Sequence, residues 1–380
     1  MKVLITGGAG FIGSFLSERC LAEGHQVRIV DNLEPQVHTE GQPHYLPPEA
    51  DVMLSDVRDI EALSAALHDV DVVVHCAAAV GVAQSLYRIR HYADVNVVGI
   101  ATLLELLLRR TRPLHRLIVL TSMTMYGEGV YRRLSDGLLM RVPIRTERDI
   151  RRYGWDMLCP DSGERLEPVP TPEDAACQAR NIYALTKRYQ EELALSVGQT
   201  FDLPVVCLRL FNVYGPRQSL SNPYTGVLAI FLSRLLAGQA PVVYEDGQQT
   251  RDFVAVHDVV NAVMLALERE EASGHVLNIG SGVPRRIGEC ARTLAHLMGH
   301  DDIEPTVAGQ FRAGDIRHCI ADITKARRLL GYEPQAAWEE GLAELMDWAR
   351  SVPAVDQFDT AQRELHEHGL ISTELSMEGQ

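Results

Sequence analysis

Residues 2–31 read KVLITGGAGFIGSFLSERCLAEGHQVRIVD, and the fold turns on how this stretch is read. Val3, Leu4 and Ile5 form an apolar run too short for a helix and right for a buried strand. Gly7, Gly8, Gly10 and Gly13 follow at once. An amphipathic run starts at Phe11 and closes near Gly24, a ready helix stop. Val27 to Val30 is a second apolar strand, ending on Asp31. The order is strand, glycine turn, helix, strand, acid. A turn free of side chains lets a pyrophosphate approach the main chain. The helix behind it aims free N–H groups and its positive dipole end at the phosphates. An acid about 20 residues on accepts ribose hydroxyls. The glycines are spaced Gly7-x-x-Gly10-x-x-Gly13, and their setting between two strands gives the motif its specificity. A carboxylate at Asp31 repels a ribose 2′-phosphate, so the reading favours NAD over NADP.

The remainder of the chain is consistent with an enzyme of small molecules. It has 380 residues, 46% hydrophobic and 23% charged, which suits one large or two ordinary globular domains. A net charge of −15 argues against nucleic acid and anionic membrane surfaces as partners. Seven cysteines are scattered without a C-x-x-C pair, so no metal site is expected and reduced cytoplasmic thiols are the simplest reading. The first strand begins beside Met1, which leaves no room for a signal peptide in the reading. The longest apolar run noted, Val72 to Ala83, holds His75 and is too short to span a bilayer.

Strands are expected at 52–54, 70–74, 117–120, 205–211, 242–244 and 276–279. Helices are expected at 60–67, 92–110, 182–197, 227–236 and 257–267. This alternation predicts an α/β protein: a Rossmann-type doubly wound parallel sheet with crossover helices on both faces. The expected division is a dinucleotide-binding domain over 1–212, a smaller and mostly helical substrate domain over 213–350, and a tail over 351–380. Residues 128–181 break the rhythm and read as an inserted lobe with short helices. The polar segment 32–50 reads as a surface loop over the cofactor.

Tyr183 and Lys187 in NIYALTK stand four apart on a helix and share one face. An ammonium beside a phenol favours phenolate, and a phenolate near neutrality is a general base. Ser122 ends a strand on the carboxyl edge of the sheet, where its hydroxyl can orient a substrate oxygen.

TGGAGFIG (6–13), HCAAA (75–79), Asn96 with Gly99, TSMTMYG (121–127), Tyr183-x-x-x-Lys187, FNVYGPR (211–217) and RDFVAVHD (251–258) occur in that order. Together they resemble the extended short-chain dehydrogenase/reductase superfamily, in particular its NAD-dependent nucleotide-sugar epimerases and dehydratases. The resemblance covers roughly residues 1–348. It implies NAD as cofactor and a nucleotide-diphosphate sugar as substrate. It gives Ser122, Tyr183 and Lys187 the catalytic roles, with Lys187 on the nicotinamide ribose. Around the cofactor it implies Gly7, Gly10, Phe11, Ile12, Gly13, Asp31, Asn32, Asp56, Val57, Ala77, Ala78, Ala79, Asn96, Thr121, Phe211 and Val213. Around the substrate it implies Val80, Met123, Thr124, Asn212, Asn222, Val227, Arg251, Arg312 and Asp315. An arginine such as Arg251 suits a diphosphate.

Dehydratases of this group carry Asp-Glu directly after the catalytic Ser/Thr, and related decarboxylases keep a glutamate where Thr124 stands. Met123 and Thr124 are not general acids at neutral pH, so the resemblance points to 4-epimerisation or a 4-ketone reduction. The long gap between Ser122 and Tyr183, CPDSGERLEPVPTPE (159–173) and FNVYGPRQSLSNPYTGVLAIF (211–231) resemble the dTDP-L-rhamnose 4-epimerase branch most closely. An apolar lining from Val80, Met123 and Met125 would suit a 6-deoxy sugar. UDP-glucose and UDP-glucuronate are the alternative substrates, and Arg132, Arg133 or Arg145 could meet a C6 carboxylate. A non-catalytic NAD sensor is the rival from another class. The resemblance further implies a homodimer built on helices 92–110 and 182–197, the second carrying the stripe Ile182, Leu185, Tyr189, Leu193 and Val197.

Overall fold

The computed structural model describes residues 1–371 except Glu40, Thr225 and Ala313; the part of the expected tail beyond 371 lies outside the described residues. In chain order the strands are β1 (Lys2–Thr6), β2 (Gln26–Asp31), β3 (Asp51–Leu54), β4 (Val72–His75), β5 (Arg116–Ser122), β6 (Val130–Arg133), β7 (Leu139–Arg141) and β8 (Leu166–Thr171). They continue as β9 (Val205–Leu210), β10 (Asn212–Tyr214), β11 (Val242–Val243), β12 (Thr250–Ala255), β13 (His275–Ile279), β14 (Pro284–Arg286), β15 (Thr306–Val307) and β16 (His318–Ala321).

Seven of them form one parallel sheet in the order β3-β2-β1-β4-β5-β9-β13. Its central strands carry continuous apolar runs, Val72–Val74 in β4 and Leu117–Leu120 in β5, because helices cover both faces; both strands are buried along their whole length. One face packs Val3, Ile5 and Ile118 with the helix Val256–Glu268, and the other packs Leu4, Val73 and Leu117 with the helical run Ile89–Leu108. The strand order reverses between β1 and β4, so their carboxyl ends diverge and leave a crevice there.

The expected helix over 92–110 is one continuous helical run from Ile89 to Leu108 with a π-turn at Ala93–Val98. This run is long and apolar enough by itself to cross a membrane, a longer candidate than Val72 to Ala83, yet 44% of it is buried in the protein. The π-turn coincides with Asn96, which is fully buried and bonded to the backbone of Ala79 on both sides.

One expectation is corrected. Residues 128–181 contain a single helix, Glu147–Tyr153, and are otherwise built on β6, β7 and β8. These strands join β10, β12 and β16 in a second, mixed sheet of order β10-β12-β16-β8-β6-β7, with β14 flanking β12. The second half keeps more helix than strand, as expected, and its short strands β10, β12 and β16 tie it to the insert. Pro168 and Pro170 hide β8 from local reading because each removes a ladder donor. Pairing of β8 with β6 and β16 overrides that preference. Buried ion pairs fasten the insert: Arg145 to Glu245 at 2.7 Å, and Arg317 to the same Glu245 at 2.7 Å. Glu128 accepts from the Arg317 N–H at 2.8 Å and from the Tyr131 hydroxyl at 2.8 Å.

Candidate active site

The glycine turn comes first because its geometry permits the cleft. Gly7 has φ +71°, and a Cβ there would stand 2.7 Å from the Ala77 nitrogen across the sheet. A Cβ on Gly13 would lie 2.2 Å from the Gly7 carbonyl oxygen, so only glycine lets the helix Phe11–Ala22 approach the turn. That helix begins at Gly10 with no side-chain cap, leaving its first N–H groups to face the crevice. Asp31 ends β2 beside it, accepting from the Ala9 N–H at 3.0 Å and the Leu33 N–H at 2.9 Å. Its carboxylate thus holds the glycine turn in place while also lining the crevice.

The crevice is a cleft of about 420 Å³, within the range for small-molecule sites. Of the residues expected around the cofactor, Gly7, Gly10, Phe11, Ile12, Gly13, Asp31, Asn32, Asp56, Val57, Ala77, Ala78, Thr121, Tyr183, Lys187, Phe211 and Val213 line it. Ala79 and Asn96 do not. Asn96 is a strut: its amide accepts from the Ala79 N–H at 2.8 Å and donates to the Ala79 carbonyl and to Thr186 Oγ1. Of the substrate residues, Val80, Ser122, Met123, Thr124, Asn212 and Asn222 line the cleft, and Val227, Arg251, Arg312 and Asp315 stand outside its lining. Arg251 donates to the carbonyls of Thr250 and Arg317, and Arg312 pairs with Asp315 at 2.8 Å. Met125 is buried away from the cleft.

The reacting corner is where β5 meets the helix Ile182–Phe201. Asn181 caps that helix, accepting from the Ala184 N–H at 2.8 Å, and the Tyr183 N–H donates to Ser85 Oγ at 3.0 Å. Tyr183 and Lys187 both face inward and are buried. Lys187 Nζ donates to the Leu120 carbonyl at 2.9 Å. Ser122 Oγ accepts from the Thr124 hydroxyl at 3.0 Å. Burial pushes the Tyr183 phenol up to about 12, opposed by its hydrogen bond to Ser122. This corrects the expectation of a phenol lowered by Lys187: desolvation of the phenolate outweighs any help from the ammonium. Burial likewise lowers Lys187 to about 8. His75, behind this corner, is driven down to about 3 by burial and is neutral, bonded to Thr6 Oγ1 at 2.9 Å.

Some lining residues escaped the sequence reading. Gln218 and Tyr224 line the cleft, together with Val37 and His38 from the loop over residues 32–50. The QSLSNPYTG stretch is a visible signal for the first two, and the reading of 32–50 as a loop over the cofactor covers the other two without singling them out. Gln36 on the same loop donates to Asn222 Oδ1 at 3.1 Å and pairs with Gln84, which accepts from the Tyr92 hydroxyl at 3.2 Å. The residues present fit a dinucleotide and an oxygen-rich partner. The uncapped helix end suits a pyrophosphate, and Asn212 Oδ1 is buried in the cleft wall without a partner among the described residues.

Comparison with known proteins agrees with this geometry. Residues 3–145 match the model of the NAD dependent epimerase/dehydratase family, and residues 163–345 match that of GDP-mannose 4,6 dehydratase. The dTDP-L-rhamnose 4-epimerase of Burkholderia thailandensis is 37% identical over 355 residues, covering 91% of this chain and 94% of its own. The crystal structure of a UDP-glucose 4-epimerase from Thermotoga maritima with UDP-glucose superposes with a TM-score of 0.74 at 30% identity, covering 92% of this chain and 99% of its own. The UDP-glucose 4-epimerase of Thermus thermophilus in complex with NAD gives 0.72 at 28%, covering 93% and 100%. Similarity of that extent, spread across both sheets and the cleft between them, makes this chain a member of the NAD-dependent epimerase/dehydratase family, an enzyme whose cofactor is NAD.

Proposed function

We propose that the protein is a nucleotide-sugar 4-epimerase that interconverts dTDP-L-rhamnose and dTDP-6-deoxy-L-talose. The observation that carries the 4-epimerase reading is the corner of Ser122, Tyr183 and Lys187 with Met123 and Thr124 beside it, because neither of the two following residues is a carboxylic acid that could eliminate water. NAD supplies the hydride acceptor and returns the hydride. Tyr183 takes the proton of the C4 hydroxyl as C4 is oxidised, and gives it back when the 4-keto sugar, turned over in the cleft, is reduced on its other face. Ser122 holds the C4 oxygen by hydrogen bonding and stabilises Tyr183 in its charged form. Lys187, anchored on the Leu120 carbonyl, keeps a positive charge beside the cofactor ribose at neutral pH.

The sugar assignment is supported by what the cleft lacks. Arg132 is paired with Glu167 at 2.7 Å, Arg133 with Asp136, and Arg145 with Glu245. None of the three lines the cleft, so none is there for a C6 carboxylate, which disfavours UDP-glucuronate. Met123, Val80 and Val82 offer apolar surface to a C6 methyl. Burying a hydroxyl without a partner costs about 1–3 kcal/mol, which biases choice several-fold against a C6 hydroxyl. The Burkholderia relative bears the same activity in its name. A 4-keto-sugar reductase would use the same corner once only, and a sensor would have no use for the base.

The proposal includes a homodimer in the cytoplasm. Tyr189 is about half exposed and Ile182, Leu185, Leu193 and Val197 are partly exposed, and Ile89 and Val98 on the neighbouring run are about half exposed. All seven cysteines are free, which fits a reducing compartment. The deciding experiment is competition between dTDP-L-rhamnose, UDP-glucose and UDP-glucuronate with product analysis by NMR. We expect C4 inversion and the highest kcat/KM on dTDP-L-rhamnose; a higher value on either UDP-sugar overturns the sugar assignment and leaves the 4-epimerase mechanism standing.

A further inference from the structure

The family matches stop at residue 345, and the chain beyond them returns to the cleft. After the helix Trp338–Ser351 it crosses the second half of the molecule and forms the helix Phe358–Glu367. Its path is pinned at each step. The Val355 N–H donates to Ser221 Oγ at 3.0 Å. Arg234 reaches Asp356 at 3.3 Å and Asp359 at 3.2 Å, with its guanidinium 4.6 Å above the Phe358 ring. Leu365 and Ile371 are buried against Ala83, Tyr87 and Tyr224, and Ile371 bridges to Arg312 in antiparallel fashion. Ser221 and Tyr224 belong to the segment that carries Gln218, Ser219 and Asn222 into the cleft.

Glu364 is the chemical centre of this contact. The Tyr87 hydroxyl donates to Glu364 Oε2 at 2.9 Å, the Tyr224 hydroxyl donates to the same oxygen, and the two phenols are 2.8 Å apart. The His368 ring stacks on Tyr87 with centroids 4.3 Å apart. Tyr224 itself lines the cleft, opposite Gly81, where an added Cβ would come within 3.0 Å of the Tyr224 Cβ. So one carboxylate on the C-terminal arm holds two phenols from separate elements, and one of those phenols is cleft wall.

We propose that the C-terminal arm, 352–371, is a clasp on the nucleotide-sugar side of the cleft, with Glu364 as a positioning residue that acts through Tyr224. This rests on the nucleotide-sugar reading above. Without Glu364, Tyr224 loses a charge-assisted bond, and the segment 218–224 is left with only the Ser221 bond and apolar contacts to the arm. Ser122, Tyr183 and Lys187 bond to residues outside the arm, so the chemical step is untouched while substrate binding weakens.

The test uses the NAD-loaded full-length protein as wild type, Glu364→Ala and Glu364→Gln. Turnover of dTDP-L-rhamnose gives KM and kcat, and calorimetry gives the affinity for dTDP and UDP. Glu364→Ala should raise KM, and the Kd of whichever diphosphate the wild type binds more tightly, about tenfold, the size of one lost hydrogen bond to a charged group. It should leave kcat within about threefold and NAD content unchanged. Glu364→Gln keeps an acceptor and should recover most of the loss. Unchanged KM and Kd in Glu364→Ala overturn the clasp. Parallel falls in kcat and NAD content also overturn it, since they mark a merely structural helix. If the wild type does not turn over dTDP-L-rhamnose, the sugar assignment fails and calorimetry decides the clasp by the same criterion; no difference between wild type and variant there overturns it.

Discussion

Tyr183 and Lys187 are held in a buried corner that resists charge on both. The Tyr183 phenol stands near 12, so its bond to Ser122 and the positive charges brought to the corner must stabilise the phenolate at the moment of proton transfer. Tyr183→Phe should keep NAD bound and lower kcat by about 10²-fold or more, measured by C4 inversion under saturating substrate. Lys187 carries the complementary prediction. Its folded value of about 8 lies below the ordinary 10.5. Below pH 8 both the folded and unfolded chains bind the proton, and the cost of the buried charge, roughly 3 kcal/mol, is fully present. Between pH 8 and 10.5 the unfolded chain binds more protons than the folded one, so wild-type stability rises with pH through this window. Cofactor-free Lys187→Met should therefore melt at a higher temperature than wild type at pH 7, with the advantage shrinking from pH 8 toward 10.5. A gap independent of pH in a thermal scan would contradict a depressed Lys187.

The glycine turn and its helix form the element on which the cofactor depends. Helix Phe11–Ala22 sits against the Gly7 carbonyl, and Gly13 is the contact. Gly13→Ala forces a Cβ to 2.2 Å of backbone that cannot give way, so the helix must lift from the turn. Overpacking of this kind costs about 1–3 kcal/mol or more. Gly10→Ala meets only the Gly7 oxygen at 3.3 Å. Gly13→Ala should thus lose NAD binding by calorimetry and several degrees of thermal stability, and Gly10→Ala should lose much less of the latter. The reverse ranking would place the tight contact elsewhere. The Ile89–Leu108 run shows the same coupling of element to site, because its π-turn carries the Asn96 strut that fixes Ala79 at the cleft edge.

At the scale of the molecule, two sheets and the arm surround one cleft, and the outer faces of Ile89–Leu108 and Ile182–Phe201 are left with apolar side chains. Val98 and Tyr189 are each about half exposed, at 48% and 53%. A paired arrangement of these helices would remove that surface from water. Light scattering at micromolar concentration should give the mass of a dimer, and Val98→Asp combined with Tyr189→Asp should give that of a monomer with Ser122, Tyr183 and Lys187 undisturbed. A wild-type monomer under those conditions would overturn the homodimer.

The amino-acid sequence by itself determined the parallel sheet, the glycine turn, the acid at Asp31 and the shared face of Tyr183 and Lys187. Each of these is written in short-range periodicity or spacing, where backbone geometry leaves few alternatives. The tertiary structure decided what depends on partners far along the chain. The insert 128–181 is built on strands because β8 pairs with β16, some 150 residues later, in spite of two prolines. Arg132, Arg133 and Arg145 read as free cations in sequence, and ion pairs take up all three. The spacing of Tyr183 and Lys187 foretold their proximity and missed the acidity of the phenol, because desolvation is set by everything packed around the corner. Glu364 lies in the tail over 351–380 with nothing in the sequence to single it out, and only the folded chain brings it to Tyr87 and Tyr224. Local pattern specifies elements, whereas burial, charge pairing and the walls of a cleft are properties of contacts that exist only after those elements have packed.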